Sequence, residues 1–417
     1  MIFRAAFLLV LVALAGTLPA SAAETWAISA AKIYTAPNVP PIEDGVVLVR
    51  GDKIIEVGPR VSIKIPKSAK TSECGGGVLT AGFQNSHVHF IERRWDDAAH
   101  KPAAVLEQSL QEMLTRYGFT TVFDVASDNN TFDLRKRIEK GEVRGPRIFS
   151  VGLALFPPDG IPSYINDLPP EMLARMPQPR NAEEARAAVR SNMAAGADGT
   201  KLFLHTSPRQ DVITKMSPEV VRAAVEETHK HGKLVFAHPT SVEAVRLAVK
   251  SGVDVLVHTT LGDKTPWDSF LVADMKLSHT SVVPTFKLWE YELRKEHVPP
   301  EVEFQLVRDT FVQLRSFRGM KGQVLFGTDV GYMHDYDPTD EYSLMQSSGM
   351  WPADILVALT TAPAARMKEE KSHGLVAKGF AADLVMLAAD PFADVRNFAN
   401  VKCVLRAGKP IYSRPGP

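Results

Sequence analysis

KLVFAHPTSVEAVRLAVKSGVDVLVH, residues 233–258, reads as a complete strand, helix and second strand. KLVFAH and DVLVH are almost continuously apolar, as parallel strands covered on both faces require. Between them Ser241 supplies an N-cap oxygen and Gly252 a stop. The preceding helix has the same punctuation, with Ser217-Pro218 at its start and Gly232 at its end. Working outward, apolar runs recur as FQNSHVHF, TTVFDVA, RIFSVG, TKLFL, SVVPTF and QVLFGTD. With KLVFAH and DVLVH that makes eight strands separated by helical patterns, which predicts a (β/α)8 TIM barrel. A doubly wound open sheet is the architectural alternative.

Both ends of the chain differ from this middle. GVVLVRGDKIIEVGP, residues 45–59, is a hairpin turning at Arg50-Gly51-Asp52, and ADLVMLAADP and VKCVLRAGKPIY again alternate short strands with Gly and Pro turns. The prediction is an α/β protein: a barrel over 81–373, with a small β-sandwich domain formed by segments 23–80 and 374–417. The two cysteines, Cys74 and Cys403, both fall in that small domain. They are read as separate buried thiols, with pairing as the alternative in an exported protein.

Residues 1–22 stand apart. Arg4, an apolar run and Ala20-Ser21-Ala22 make the pattern of a cleavable signal peptide. The expectation is therefore an exported protein, periplasmic or secreted, that begins near Ala23 and has no membrane contact after cleavage. An uncleaved anchor is the alternative. Lys plus Arg and Asp plus Glu each number 48, so no charge excess points to nucleic acid or an anionic membrane.

Function is read at the ends of the strands, because barrel chemistry sits at their C-terminal rim. His87 and His89 end the first strand, two residues apart and hence on one face. His238 ends the fifth, His258 the sixth and Asp329 the eighth, while Lys201 lies in the fourth. Neutral imidazoles beside a carboxylate are the ligand set of a divalent-metal centre.

These motifs resemble those of the amidohydrolase superfamily. GFQNSHVHF is similar to its first-strand metal motif, GTD to its eighth-strand aspartate motif, and GLVAKGFAADLVMLAADP to its C-terminal signature. The resemblance spans the mature chain and is closest to the imidazolonepropionase-like and prolidase-like branch. It implies two divalent metal ions, with zinc the expected ion. His87, His89 and Asp329 would hold the more buried ion and His238 and His258 the more exposed one. Lys201 would bridge the two ions as a carbamate (carboxylysine). The implied reaction is hydrolysis of an amide C–N bond, linear or cyclic, by a metal-bound hydroxide, with Asp329 as the catalytic proton carrier. Two departures stand out. Asn85 replaces the usual aspartate two residues before His87. Ser241 stands where deaminase relatives carry a glutamate, which argues against deamination.

The substrate is read as a small amide or peptide-like molecule. His205, Tyr164, Lys287 and His334 follow strand ends or lie in the proline-rich segment 153–180, and are candidate substrate contacts. Arg93, Arg94 and Arg209 are further candidate cations for a substrate carboxylate, and Trp95 and Trp289 are candidate pocket walls. Alternatives are a prolidase-like dipeptidase, a lactone or ester hydrolase with the same metal centre, and a metal-bearing binding protein without turnover. A homo-oligomer stays open.

Overall fold

A computed structural model of the chain describes residues 24–165, 168, 170–209, 211–263 and 267–415. The signal-like segment lies outside them. The barrel strands are β1 Phe83–Val88, β2 Phe119–Asp124, β3 Arg147–Ser150, β4 Gly199–Phe203, β5 Leu234–His238, β6 Val255–Val257, β7 Ser281–Val283 and β8 Gln323–Val324. Parallel ladders join β1 to β2 to β3, and β4 through to β8 in sequence order. Two seams then close the ring. Leu155, past the end of β3, bridges Leu202 of β4. Beyond β8, Phe326 O accepts from Ser86 N at 2.7 Å and Val330 O from His89 N at 2.8 Å. The eight strands read from the sequence are thus the staves of one closed parallel barrel.

Local signals explain the boundaries. Ser241 Oγ accepts from Ala244 N at the start of helix Val242–Ser251, and Gly252, at φ 84°, ends it in the left-handed region. Ser217 caps Pro218–Lys230 in the same way. β2 reads FTTVFD with every residue buried, as expected of a strand with helices outside it and packed side chains inside.

The chain's two ends meet in one continuous eight-stranded sheet. Its main order is Lys409–Ser413, Val401–Arg406, Leu384–Leu387, Val78–Ala81, Thr25–Ile33, Ile42–Arg50, Lys53–Pro59. The sheet curls until its far strand meets the opposite segment, where Ile54 N donates to Phe380 O at 3.0 Å. Ile28, Val47, Ile54, Leu79, Leu384 and Leu405 pack inside this curl. Val78, Val385, Leu387 and Val404 face the other way, into the barrel's core, as the period of two demands.

The cysteine expectation is corrected here. Cys74 and Cys403 form a disulfide with Cα atoms 5.6 Å apart, a spacing a disulfide spans. A separation of 329 residues concealed from the sequence that sheet pairing would bring them side by side.

Candidate metal centre

His87, His89, Lys201, His238, His258 and Asp329 all line one cavity of about 330 Å³ at the C-terminal rim of the barrel. His87 and His89 project together from the end of β1, their Nε2 atoms 3.1 Å apart. Asp329 Oδ1 lies 2.9 Å from His89 Nε2 and 3.3 Å from His87 Nε2, while its Oδ2 lies 3.7 Å from His258 Nε2. The His238 and His258 rings approach edge to face at 4.6 Å. Lys201 enters from β4, fully buried, its Nζ 5.1 Å from the Phe203 ring.

The backbone that aims these groups is strained. His258 sits at φ 84°, Thr285 at 46° and Asp329 at 61°, all in the left-handed region that L-residues seldom occupy. Gly331, at φ 97°, is required beside them, because any Cβ there would collide with the carbonyl oxygen of His89.

Tautomers follow from the partners behind the rings. His89 Nδ1 lies 2.9 Å from Ala126 O, so it donates there and leaves Nε2 a bare lone pair. Thr285 Oγ1 donates to Pro284 O and therefore accepts from His258 Nδ1, 2.6 Å away, which leaves that Nε2 bare as well. Asp329 Oδ1, buried and without a donor, faces the His89 lone pair, and its Oδ2 faces that of His258. Acceptors converging this closely repel one another unless a cation stands among them. The residues present fit a divalent metal on that ground.

The electrostatics agree. Burial pushes the His87 imidazole down to about 3, against the pull of Asp329, with Lys201 adding to the shift. Burial, then Lys201, drives His238 well below the usual histidine range, and burial with its neighbouring rings does so for His258. Burial opposes ionisation of Asp329, yet His87 and His89 outweigh it and hold the carboxyl well below the usual range. Burial brings the Lys201 amine down to about 7, with Asp329 opposing. Neutral imidazoles, an ionised carboxylate and an amine with a substantial neutral fraction are the states that metal binding and carbamate formation need.

Asn85 is no ligand. Its amide nitrogen donates to Thr328 Oγ1 at 2.7 Å and its oxygen accepts from His87 N at 3.1 Å, tying β1 to the chain beyond β8.

The substrate candidates divide. Tyr164 and Trp289 line the cavity. His205 is buried behind it, its Nδ1 3.0 Å from Ser241 Oγ. Lys287 is turned away by the phase of its helix, Phe286–Lys295, and its ammonium meets Asp335 at 2.8 Å and Asp337 O at 2.6 Å. His334 is exposed beside Glu92 at 3.2 Å. Arg94 pairs with Glu92 and Glu112. Trp95 packs in the core against Phe90, ring centres 4.9 Å apart. Neither these residues nor Arg93 and Arg209 line the cavity. The sequence reading missed Leu288, Glu292 and Tyr332, which do line it. Leu288 and Glu292 are one helical turn apart, and that spacing after a strand end was the signal available.

A closed ring of parallel strands with imidazoles, a lysine and an aspartate at its C-terminal rim is the architecture of barrel hydrolases that work with divalent cations. The chain belongs to the amidohydrolase family, whose sequence model matches residues 78–411. Ochratoxinase from Aspergillus niger is similar, 25% identical over 413 residues that span 88% of this chain and 83% of that protein. Its crystal structure superposes with a TM-score of 0.77 at 22% identity, covering 94% of this chain and 97% of that one. A putative prolidase from Bifidobacterium longum gives 0.79 at 24%, covering 95% and 96%. A Xaa-Pro dipeptidase with methionine bound in its active site gives 0.77 at 21%, covering 94% and 100%. These superpositions establish the shared fold.

Proposed function

We propose that the protein is an exported hydrolase of amide C–N bonds with a binuclear divalent-metal centre, zinc being the expected ion. The convergence of six potential ligands from five barrel strands on one cavity carries this reading. His87, His89 and Asp329 would hold one ion, His238 and His258 the other, with Lys201 bridging as its carbamate. Divalent ions held there would supply an acidified water, of about pKa 7, and polarise a substrate carbonyl. Asp329 takes the proton of the attacking water and hands it to the leaving nitrogen. Ala126 and Thr285 keep His89 and His258 in the tautomer the centre needs.

The cavity lining also bears on the substrate readings. A dipeptidase needs a cation to meet the free C-terminal carboxylate, and Lys201 is the one lysine or arginine among the described lining residues. An amide without a free carboxylate suits this wall better.

Lys201→Ala tests the centre. Wild-type protein loaded with zinc and bicarbonate should approach two metal equivalents by elemental analysis. The variant should lose metal and on the order of 10²-fold or more in turnover of an amide substrate. Added acetate or propionate should restore part of both by occupying the space the carbamate left. A variant that keeps two equivalents and wild-type turnover without added acid would falsify the bridging role.

The disulfide supports export, since such bonds persist in oxidising compartments. N-terminal sequencing of the protein from its native compartment should read from near Ala23. A chain that still begins at Met1 removes the signal-peptide reading.

A further inference from the structure

The cavity has a second polar pole besides the ligand cluster. Glu292 lies on the cavity face of helix Phe286–Lys295 with Leu288 and Trp289. Its carboxylate accepts from Tyr332 OH at 2.8 Å, and the Tyr164 ring meets the Tyr332 ring edge-on at 5.6 Å. Around these groups the wall is apolar, with Ile91, Phe156, Ile165 and Leu261 among its members. Lys295 approaches Glu292 only to 4.0 Å and is itself half exposed, so it neutralises the carboxylate weakly.

A carboxylate in such a wall is costly unless donors or a cation meet it. One tyrosine hydroxyl satisfies a fraction of its lone-pair sites, and burial accordingly favours its protonated form. An ammonium group arriving in the cavity would reverse that bias and form a charge-assisted hydrogen bond. Neighbouring Tyr and Trp rings add to the attraction for a cation. The bland account is that Glu292 only holds Tyr332 in place.

We propose that Glu292, with Tyr332 and the rings of Tyr164 and Trp289, is a specificity site for an ammonium group. The substrates would then be apolar amides carrying one primary amine away from the scissile bond. This rests on the amide-hydrolase reading, and the test separates the two.

Zinc-loaded protein is assayed on ε-aminocaproyl p-nitroanilide and on its uncharged match, caproyl p-nitroanilide. Calorimetry compares hexylammonium with hexanol as ligands. The aminated member of each pair should be preferred by about tenfold or more, in kcat/KM and in Kd. In Glu292→Gln both ratios should fall toward one. Tyr332→Phe removes the donor and leaves the carboxylate, so it should keep or widen the preference. Equal ratios in wild type and Glu292→Gln, or a preference lost in Tyr332→Phe, overturn the proposal. If neither anilide is cleaved while hexylammonium is still preferred through Glu292, the ammonium site stands and the amide reading fails.

Discussion

In the sheet that joins the chain's ends, Leu79, Met386 and Cys403 sit opposite one another across three strands, their ladders made and the cysteine tied to Cys74. At the rim of the barrel, Asp329 Oδ1 and His87 Nδ1 are buried without hydrogen-bond partners, and His258, Thr285 and Asp329 hold left-handed backbone. Both regions are buried and both pair segments distant in sequence. In the first, each local preference agrees with the fold. In the second, solvation and backbone preference are both violated, as happens where a site must receive something the chain does not itself contain. The sheet and the rim should therefore respond to substitution in opposite ways.

The largest expected effect is at the rim. If Asp329 acts as proposed, Asp329→Asn keeps an oxygen that could meet a metal ion but cannot carry a proton, so turnover should fall by about 10²–10⁴-fold. The apo variant should melt no lower than apo wild type, because the amide NH2 that replaces one carboxylate oxygen can donate to the imidazole lone pairs beside it. A large drop in apo melting temperature would break the contrast, since the rim would then be contributing stability. The next effect belongs to the sheet. Cys403→Ser should cost about 2–4 kcal/mol of stability by denaturant titration and leave kcat/KM unchanged. Loss of activity in the folded variant would mean that the two regions are coupled.

A third effect sharpens the boundary between them. Glu341 is fully buried and accepts from Lys287 N at 2.7 Å, at the start of the helix that carries Trp289 and Glu292. Burial pushes its pKa from the ordinary 4.5 up to about 8, against the pull of the Lys287 and Phe286 backbone N–H groups. Between those values the folded state holds a proton that the unfolded state has lost. Stability should be fullest below pH 4.5 and decline as pH rises to about 8, by at most about 1.4 kcal/mol per pH unit. Glu341→Gln should flatten that slope, measured as melting temperature against pH; an identical slope would place Glu341 with the satisfied groups.

The barrel was legible because its strands are apolar runs ending in ligand residues, and strand ends are where the rim must be. His87, His89, Lys201, His238, His258 and Asp329 all reach the cavity for that reason. Helical phase was harder to read. Lys287 and Trp289 follow the same strand, yet only the tryptophan faces inward. Thr285 and Ala126 act through a hydroxyl and a backbone carbonyl that gain meaning only once an imidazole lies behind them. The cysteine pairing was hidden because Cys74 lies in a bend outside the strands, and the sheet that brings it to Cys403 joins segments 329 residues apart.

The order of strands in that sheet also constrains how the protein is made. Val78–Ala81 lies between Thr25–Ile33, already synthesised, and Leu384–Leu387, near the end of the chain. On the ribosome this strand waits with one edge unpaired while the entire barrel is translated. An unpaired edge is a template for the wrong partner. The nascent protein thus carries an aggregation hazard in this strand until Leu384–Leu387 emerges to cover its open edge.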